Sequence, residues 1–453
     1  MPQDKVLLIS CYFPPAGGIG VQRAVSLARY LPQNGFGVFV LTARSSSPTV
    51  DTELTNLIPE DVQVHRTWTL EPPFHLRKKL WSGVNSPTAS SKADNGFVAA
   101  TKLILARKIK QFICPDPQIL WYPFAIRRAS KLIREEGIQT ALVTAPPFSA
   151  FLIVNELKRR FPHLCTIADV RDEWLQYFVK EFVFRDDEYI AARAAEIERT
   201  TVESCDRVVS VTATSLKEIR SRYPDQPSHK FVLIPNGYDP IAFSEFRSRP
   251  HQTDKLVVTY TGTVYKPCSP KAYLDALDGL PQIRSDFQTR FVGRITEEFD
   301  RSIFEHRQSS LRLIDFVPHK DAVLFMEESD VLLLPWVDRF NIPGKVFEYL
   351  VTGKPILALC YPDSEVARVI NETASGWCVN PEDVVAIQRA LTEIHALGGK
   401  YPLNRNWEAI RRYERPRLAA EYAQIIRDTC ACNEQAILNG TSYARSNPAK
   451  IAI

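Results

Sequence analysis

A lysine and a glutamate, three residues apart and preceded by glycine, occur late in the chain and could together bind a phosphorylated ligand. Residues 341–355 read NIPGKVFEYLVTGKP, which predicts a short helix with proline and glycine at its start and Gly353 at its end. Gly344 lets a ligand approach the main chain, and Lys345 places a cation beside the free N–H groups at the positive end of the helix dipole. Glu348 follows one turn later on the same face, where its carboxylate could accept hydrogen bonds from a ribose diol. The combination predicts a nucleoside diphosphate site, although each residue alone is more typical of an ordinary surface helix.

Short apolar runs alternate with helical patterns along most of the chain, which is typical of parallel sheets with helices on both faces. The predicted strands are residues 6–10, 38–41, 141–144, 166–170 and 207–211, followed after a break by 257–261, 289–292, 311–314, 331–334 and 356–359. The last two predicted strands flank the lysine-containing helix. The break, at residues 236–254, combines Asn-Gly, prolines and charges, and it separates the two series. We therefore predict an α/β protein of two doubly wound, Rossmann-like domains.

The predicted domain bounds follow from this break. Residues 1–240 form the N-terminal domain and residues 241–415 the C-terminal domain. An apolar helical stripe at residues 416–430 predicts a helix that crosses back to the first domain. Residues 431–453 lack periodicity and predict a mobile tail.

Composition narrows the class of protein. The chain has 453 residues, of which 45% are hydrophobic and 24% charged, as in soluble globular proteins. A net charge of +4, spread along the chain, argues against nucleic acid as a partner. Nine scattered cysteines, the lack of a signal peptide and the lack of an apolar run of about 18 residues predict a cytoplasmic protein with reduced thiols. Residues 45–95, rich in Ser, Thr, Pro and Asn, predict long loops.

Two glycines, Gly17 and Gly18, follow the first predicted strand and precede a helix. Ligands of open α/β sheets bind at this edge, and glycine lets main-chain N–H groups meet phosphate or sugar oxygens. The spacing is not G-x-G-x-x-G, and no acidic residue ends the second strand, so a nicotinamide-dependent dehydrogenase is disfavoured. A tight turn that requires glycine explains the pair equally well.

Several further segments, taken with these, resemble one family. In chain order they are Phe13-Pro14-Pro15-Ala16-Gly17-Gly18 with Arg23, Pro146-Pro147-Phe148-Ser149, Asp169-Val170-Arg171-Asp172-Glu173-Trp174, Pro235-Asn236-Gly237-Tyr238-Asp239, Tyr260-Thr261-Gly262-Thr263, Phe291-Val292-Gly293-Arg294 and the Pro-Gly-Lys-x-Phe-Glu-Tyr-Leu segment. Each segment is weak evidence alone. In this order, over about residues 5–430, they resemble the family 4-like glycosyltransferases of the GT-B fold.

The resemblance implies that a nucleotide-diphosphate sugar, as co-substrate, binds in a cleft between two facing Rossmann-like domains, mainly on the C-terminal one. It implies a hexosyltransferase in polysaccharide or glycolipid synthesis, with retention at the anomeric carbon and with neither a metal nor another cofactor. The resemblance implies that Gly17 and Gly18 contact the donor from the N-terminal domain. The other implied donor-binding residues are Lys345 and Gly344 for the diphosphate, Glu348 for the ribose, Gly262 and Thr263 near the phosphates, Lys266 as a second charge, and Val317 in a turn that contacts the base.

The chain departs from the family pattern in two places. Phe340 stands where most members carry the first glutamate of a Glu-x7-Glu pair, which usually contacts the donor sugar. The histidine often found in the N-terminal domain is absent from residues 145–149 and 169–174. These departures keep a non-catalytic nucleotide-sugar binding protein open as an alternative. A nucleotide-sugar epimerase of the same two-domain architecture is a further alternative.

The transfer chemistry suggests candidate catalytic residues in the N-terminal domain. Lys345 at a helix start could neutralise the leaving diphosphate. Asp169 and Asp172 are the candidates for removing the acceptor proton, and Arg171 between them could hold an anionic acceptor or orient a carboxylate. A buried ion pair that caps a loop explains these three residues almost equally well.

The acceptor is expected to be a saccharide or a lipid-linked saccharide. Residues 97–114 are basic and apolar, and together with Lys78 and Lys79 they could touch anionic lipid at the inner face of the membrane. We favour a plain helix with a solvated basic face. The sequence specifies no oligomeric state.

Overall fold

The computed structural model describes residues 4–44, 50–71, 108, 111–175, 188–305, 307, 310–401 and 404–438. The chain divides into two compact units. The first unit comprises Met1–Ile234 and Ala419–Ile453, and the second comprises Pro235–Leu418. Among the residues just given, no helix is both long and apolar enough to cross a membrane.

The first unit contains a seven-stranded sheet in the order β3-β2-β1-β4-β5-β6-β7, with every neighbouring pair parallel. The strands are β1 Asp4–Ile9, β2 Phe36–Ala43, β3 Gln63–Thr67, β4 Thr140–Ala145, β5 Cys165–Val170, β6 Arg207–Ser210 and β7 Phe231–Leu233. The helices described between them are α1 Ile19–Tyr30, α2 Tyr122–Glu136, α3 Ala150–Arg160, α4 Glu188–Ser204 and α5 Ala213–Arg222. The strand order reverses between β1 and β4, and ligands of such sheets bind beyond the carboxyl ends of the strands at this point.

The second unit contains a six-stranded parallel sheet in the order β10-β9-β8-β11-β12-β13. The strands are β8 Leu256–Thr261, β9 Phe287–Val292, β10 Leu311–Ile314, β11 Val331–Pro335, β12 Ile356–Leu359 and β13 Gly376–Val379. The helices are α6 Lys271–Asp278, α7 His319–Glu327, α8 Lys345–Thr352, α9 Glu365–Glu372, α10 Val384–Ala396 and α11 Trp407–Arg411. Here the order reverses between β8 and β11, so their carboxyl ends form the expected ligand-binding edge.

Helix α8 is the short helix that the sequence predicted, and the structure confirms its start and its end. It begins at Lys345 after Gly344, and it ends where Gly353 adopts the left-handed conformation, with φ 70°. A side chain is strained in that conformation, which explains the glycine. One face, which includes Phe347 and Leu350, is buried in the core of the second unit and fixes the helix against the sheet.

The C-terminal helix α12, Arg415–Leu438, is amphipathic. Ala419, Tyr422, Ala423 and Ile426 are buried, and the division between the two units falls just before them. The helix continues to Leu438, so residues 431–438 are helical and the predicted tail does not begin at residue 431. These residues favour helix by propensity but lack an apolar stripe, which is why periodicity missed them. The rest of the predicted tail lies outside the described residues.

The predicted fold class is confirmed, because both units are doubly wound parallel sheets and each predicted strand is present. The strands β3, β7 and β13 were missed. Each of them is a short strand at the edge of its sheet. Strand β3 also falls within residues 45–95, for which loops were predicted. Its side chains are half-buried or exposed, so it lacks the continuous apolar run of a central strand.

Ile426→Ala should lower the free energy of unfolding of the first unit by about 2–5 kcal/mol, because it leaves a cavity under α12. Ile426 is 1% exposed. The neighbouring Ile425 is only partly buried, so Ile425→Ala makes the same chemical change as a matched control with a smaller loss. Urea denaturation measures both. Equal losses would show that α12 does not pack through the face described above.

Candidate functional site

Two glycines at the ends of neighbouring strands shape the candidate site in the second unit. Gly262 follows β8 with φ 125°, and Gly293 follows β9 with φ 138°. A Cβ atom on Gly293 would lie 2.3 Å from the carbonyl oxygen of Gly262, so the two main chains meet closely. A Cβ atom on Gly262 would lie 2.8 Å from Nζ of Lys345. The absence of a side chain at Gly262 therefore leaves the space that the ammonium group occupies.

Lys345 extends from the start of α8, which follows β11, to the end of β8. Its Nζ lies 3.9 Å from the centroid of the Tyr260 ring and donates a hydrogen bond to the Tyr260 hydroxyl. Burial lowers the pKa of Lys345 to about 8, against the opposing influence of Cys268 and Glu348. The structure thus brings Lys345 and Gly262 together at the reversal of strand order.

The first turn of α8 contains main-chain amides with and without an intrahelical acceptor. The amides of Val346 and Phe347 donate to the carbonyl groups of Pro343 and Gly344, at 3.0 and 3.2 Å. The amides of Gly344 and Lys345 lie at the open end of the helix, where no intrahelical acceptor exists. A lysine beside such a helix start is the combination that the sequence predicted for a diphosphate.

Glu348 and the predicted base-contacting turn are also close in space. Oε1 of Glu348 lies 3.3 Å from Nε2 of His319, which is the first residue of α7. His319 follows Val317 by two positions, so the turn that contains Val317 lies near the predicted ribose ligand Glu348. His319 was not among the residues predicted from the sequence. The signal that could have found it is its position at a helix start directly after that turn.

Phe316, which precedes Val317 in the predicted base-contacting turn, packs against Arg294. Phe316 is 62% exposed, and the Arg294 guanidinium lies 4.6 Å from the centroid of its ring. Both residues follow the carboxyl ends of their strands, β9 and β10. An exposed aromatic ring next to Val317 offers a stacking surface for a base.

The remaining predicted donor residues of the second unit are Thr263 and Lys266. Both side chains are exposed, and the Thr263 carbonyl accepts a hydrogen bond of 2.6 Å from the Tyr260 hydroxyl. Lys266 begins a short 3₁₀ turn. Its role as a second charge stays a prediction.

Hydrogen bonds within the loop that carries Phe340 hold this loop in its conformation. The buried carboxylate of Asp338 accepts hydrogen bonds from the Phe340 amide at 2.7 Å and from both nitrogens of Asn341, at 3.1 and 2.8 Å. Asp338 therefore points into its own loop and does not replace the glutamate for which Phe340 stands.

Gly17 and Gly18 lie at the reversal of strand order in the first unit. Gly18 has φ 94° and precedes α1, and a Cβ atom on Gly17 would lie 2.9 Å from Cβ of Asp51. Turn geometry and close packing thus explain both glycines. Donor contact by these two residues stays a prediction.

Asp169 is fully buried in a closed network in the first unit. Its carboxylate accepts hydrogen bonds from Nε and Nη2 of Arg23, both at 3.0 Å, and from the hydroxyl groups of Thr144 and Tyr422, both at 2.7 Å. A carboxylate with these partners and no exposure cannot reach an acceptor hydroxyl in this conformation. The buried ion pair that the sequence left as an alternative describes Asp169 better than the proposed proton acceptor.

Arg171 contacts main chain. Its guanidinium donates to the carbonyl oxygens of Ala145, at 3.3 Å, of Pro146 and of Gly20. These contacts connect the loop after β5 to the end of β4 and to the start of α1. Asp172 follows it and is half-buried, and its predicted catalytic role stays a prediction.

Two family models match the chain in tandem. Glycosyltransferase Family 4 matches residues 89–241, and Glycosyl transferases group 1 matches residues 255–396, which contain the Lys345 site. The chain belongs to the family 4-like glycosyltransferases. The probable glycosyltransferase WbjE of Pseudomonas aeruginosa is 25% identical over 152 residues, which are 33% of this chain and 38% of that relative. The chain thus matches well under half of the relative's length.

Solved structures share the fold along nearly the whole chain. Sucrose-phosphate synthase from Thermosynechococcus elongatus has a TM-score of 0.62 at 15% identity and covers 95% of this chain and 100% of its own. Anabaena HepE, solved in complex with UDP and glucose, has a TM-score of 0.57 at 11% identity and covers 94% of this chain and 100% of its own. At these identities the likeness shows the GT-B fold.

Asp169→Asn should destabilise the first unit by about 3–5 kcal/mol, because the amide leaves the buried Arg23 guanidinium without its counter-charge. Urea denaturation measures the loss. Asp172→Asn makes the same change at a half-buried position and serves as the control, with a smaller effect expected. An Asp169→Asn variant that is fully stable but inactive would restore Asp169 as the proton acceptor.

The affinity for a nucleoside diphosphate should fall as the pH rises through about 8, where Lys345 loses its proton. The diphosphate binds the charged ammonium, so affinity is full below this pKa. Above it, the dissociation constant should rise about tenfold per pH unit. Calorimetric titrations across this range measure the effect, and Lys345→Ala should bind weakly with no such dependence. A constant wild-type affinity on both sides of this pKa would contradict the assignment.

Proposed function

We propose that this protein transfers a sugar from a nucleotide-diphosphate sugar to an acceptor hydroxyl. The observation that carries the proposal is the position of Lys345. Its ammonium group lies over Gly262 at the reversal of strand order, beside the open start of α8. A half-buried cation next to free amides stabilises the negative charge that develops on a leaving diphosphate.

The neighbouring groups support a nucleoside as the rest of the leaving group. Glu348 lies one turn further along α8, where its carboxylate would accept hydrogen bonds from the ribose hydroxyls, and His319 would keep that carboxylate in place. The turn at Val317 would contact the base, with the exposed ring of Phe316 beside it. The UDP complex of HepE, a protein of the same fold, supports this kind of ligand.

The finer parts of the proposal rest on the family resemblance. We propose a hexosyltransferase that retains the anomeric configuration, requires neither metal nor cofactor, and uses a saccharide or lipid-linked acceptor in polysaccharide or glycolipid synthesis. In the first unit, we propose Asp172 as the group that removes the acceptor proton, and Gly17 and Gly18 as donor contacts. The residues that could contact anionic lipid, Lys78, Lys79 and most of 97–114, lie outside the described residues.

Two observations favour a second function, that of a non-catalytic nucleotide-sugar binding protein. Phe340 replaces the glutamate that usually contacts the donor sugar, and Asp338 is engaged within the same loop. Asp169 is closed inside its ion pair. Such a protein would keep the Lys345 site for the nucleotide. It would lack the carboxylate that usually contacts the donor sugar, and Asp169 would not accept the acceptor proton.

Incubation with a panel of labelled nucleotide-sugars, with and without a chelator, tests the proposal. Slow hydrolysis of one donor that persists in the chelator is the expected result. Interconversion of two sugars would indicate an epimerase, and binding without turnover would indicate the second function. Lys345→Ala should weaken binding and abolish hydrolysis. The absence of binding to any nucleotide-sugar would overturn the proposal.

Glu348→Gln should weaken the binding of a nucleoside diphosphate by about 1.5–3 kcal/mol, the value of a hydrogen bond to a charged group. Inorganic diphosphate lacks the ribose and should bind almost as before. Glu372→Gln is the matched control, because Glu372 has the same 28% exposure and also lies in an ion pair. Calorimetry distinguishes the ligands, and equal losses for both would remove Glu348 from the ribose subsite.

A further inference from the structure

We propose that Tyr260 is a positioning residue whose single buried hydroxyl holds Lys345 and the Thr263 loop in the arrangement that binds the diphosphate. The inference rests on the proposed function and extends it to a residue outside the predicted site. Tyr260 lies within β8 and is fully buried. It contacts Lys345 through its ring and its hydroxyl group.

The hydroxyl of Tyr260 makes two hydrogen bonds whose directions depend on each other. It donates to the Thr263 carbonyl oxygen at 2.6 Å. A phenol has one donor hydrogen, so this bond leaves only acceptor lone pairs for Lys345, whose ammonium donates to them. One oxygen atom therefore connects the residue that opens α8 to the loop that follows β8.

The ring of Tyr260 supports the same ammonium group. Nζ of Lys345 lies 3.9 Å from the ring centroid, where the aromatic face attracts a cation. A lysine has a long, flexible stem that would otherwise lose rotamer freedom on ligand binding. Because the ring and the hydroxyl already restrict the ammonium beside Gly262, less ordering remains when the diphosphate binds.

The second buried tyrosine of the site, Tyr349, has a different task. Its hydroxyl accepts a hydrogen bond of 2.9 Å from the Thr261 amide, which fixes α8 to the end of β8. Tyr349 thus sets the position of the helix, whereas Tyr260 sets the position of the lysine side chain. The titratable groups that face Lys345 are Tyr260, Cys268 and Glu348.

Tyr260→Phe tests the inference, because it keeps the ring and removes the hydroxyl. The dissociation constant of UDP should rise about tenfold, as expected when a hydrogen bond to a charged group is lost. The pH at which UDP affinity falls should also move below the wild-type value, because the charged lysine loses an acceptor. A purely structural role of the hydroxyl would not move this pH.

Tyr273→Phe is the matched control. Tyr273 is equally buried in the same unit, and its hydroxyl bonds to Thr289 Oγ1 at 2.8 Å. This variant should lose similar thermal stability but bind UDP like the wild type at every pH. In a Lys345→Ala background, Tyr260→Phe should have no further effect on UDP affinity.

If Tyr260→Phe does not fold, 3-fluorotyrosine in place of Tyr260 keeps the hydroxyl as a weaker acceptor and should shift both readouts in the same direction. Unchanged affinity and an unchanged pH profile in either folded variant would overturn the inference. Failure of the wild type to bind UDP or any other nucleoside diphosphate would instead overturn the proposed function.

Discussion

The close packing of two strand ends is the constraint on which the candidate site depends. A Cβ atom on Gly293 would collide with the main chain of Gly262, and a Cβ atom on Gly262 would collide with the Lys345 ammonium group. Both residues also have positive φ, which turns the chain sharply after β8 and β9. The space that results is filled by the ammonium group of Lys345. The Lys345 ammonium group can therefore reach the edge of the sheet because glycine leaves room for it there.

The two units have similar sheets, but they use their charged groups differently. In the second unit the cation is half-buried and its partner is a neutral phenol, so an anionic ligand can compete for it. In the first unit the Asp169 carboxylate is fully buried and accepts hydrogen bonds from Arg23, Thr144 and Tyr422. Removing either partner would leave an uncompensated charge at low dielectric, which favours a structural role for this pair. An acceptor would therefore meet other groups.

Much of the fold could be predicted from the sequence because buried parallel strands are continuous apolar runs. The central strands β1, β4, β5, β8 and β11 are of this kind, and helices follow them in a regular order. Strands β3, β7 and β13 were missed because short strands at the margin of a sheet are defined by their neighbours more than by their own residues. The end of α12 was missed for a related reason. Its last residues are helical by propensity and by continuation, with no apolar stripe to show it.

For the candidate site, the residues that are close along the chain could be identified from the sequence. Gly344, Lys345 and Glu348 share one helix, and helical spacing fixes which of them lie on the same face. The partners that are distant in sequence are seen only in the folded protein: Tyr260 for Lys345, His319 for Glu348, and Tyr422 with Arg23 for Asp169. These pairs depend on which strand ends meet at the edge of a sheet, and no local period encodes that. For the same reason the sequence allowed Asp169 to be a proton acceptor, until burial showed where its hydrogen bonds go.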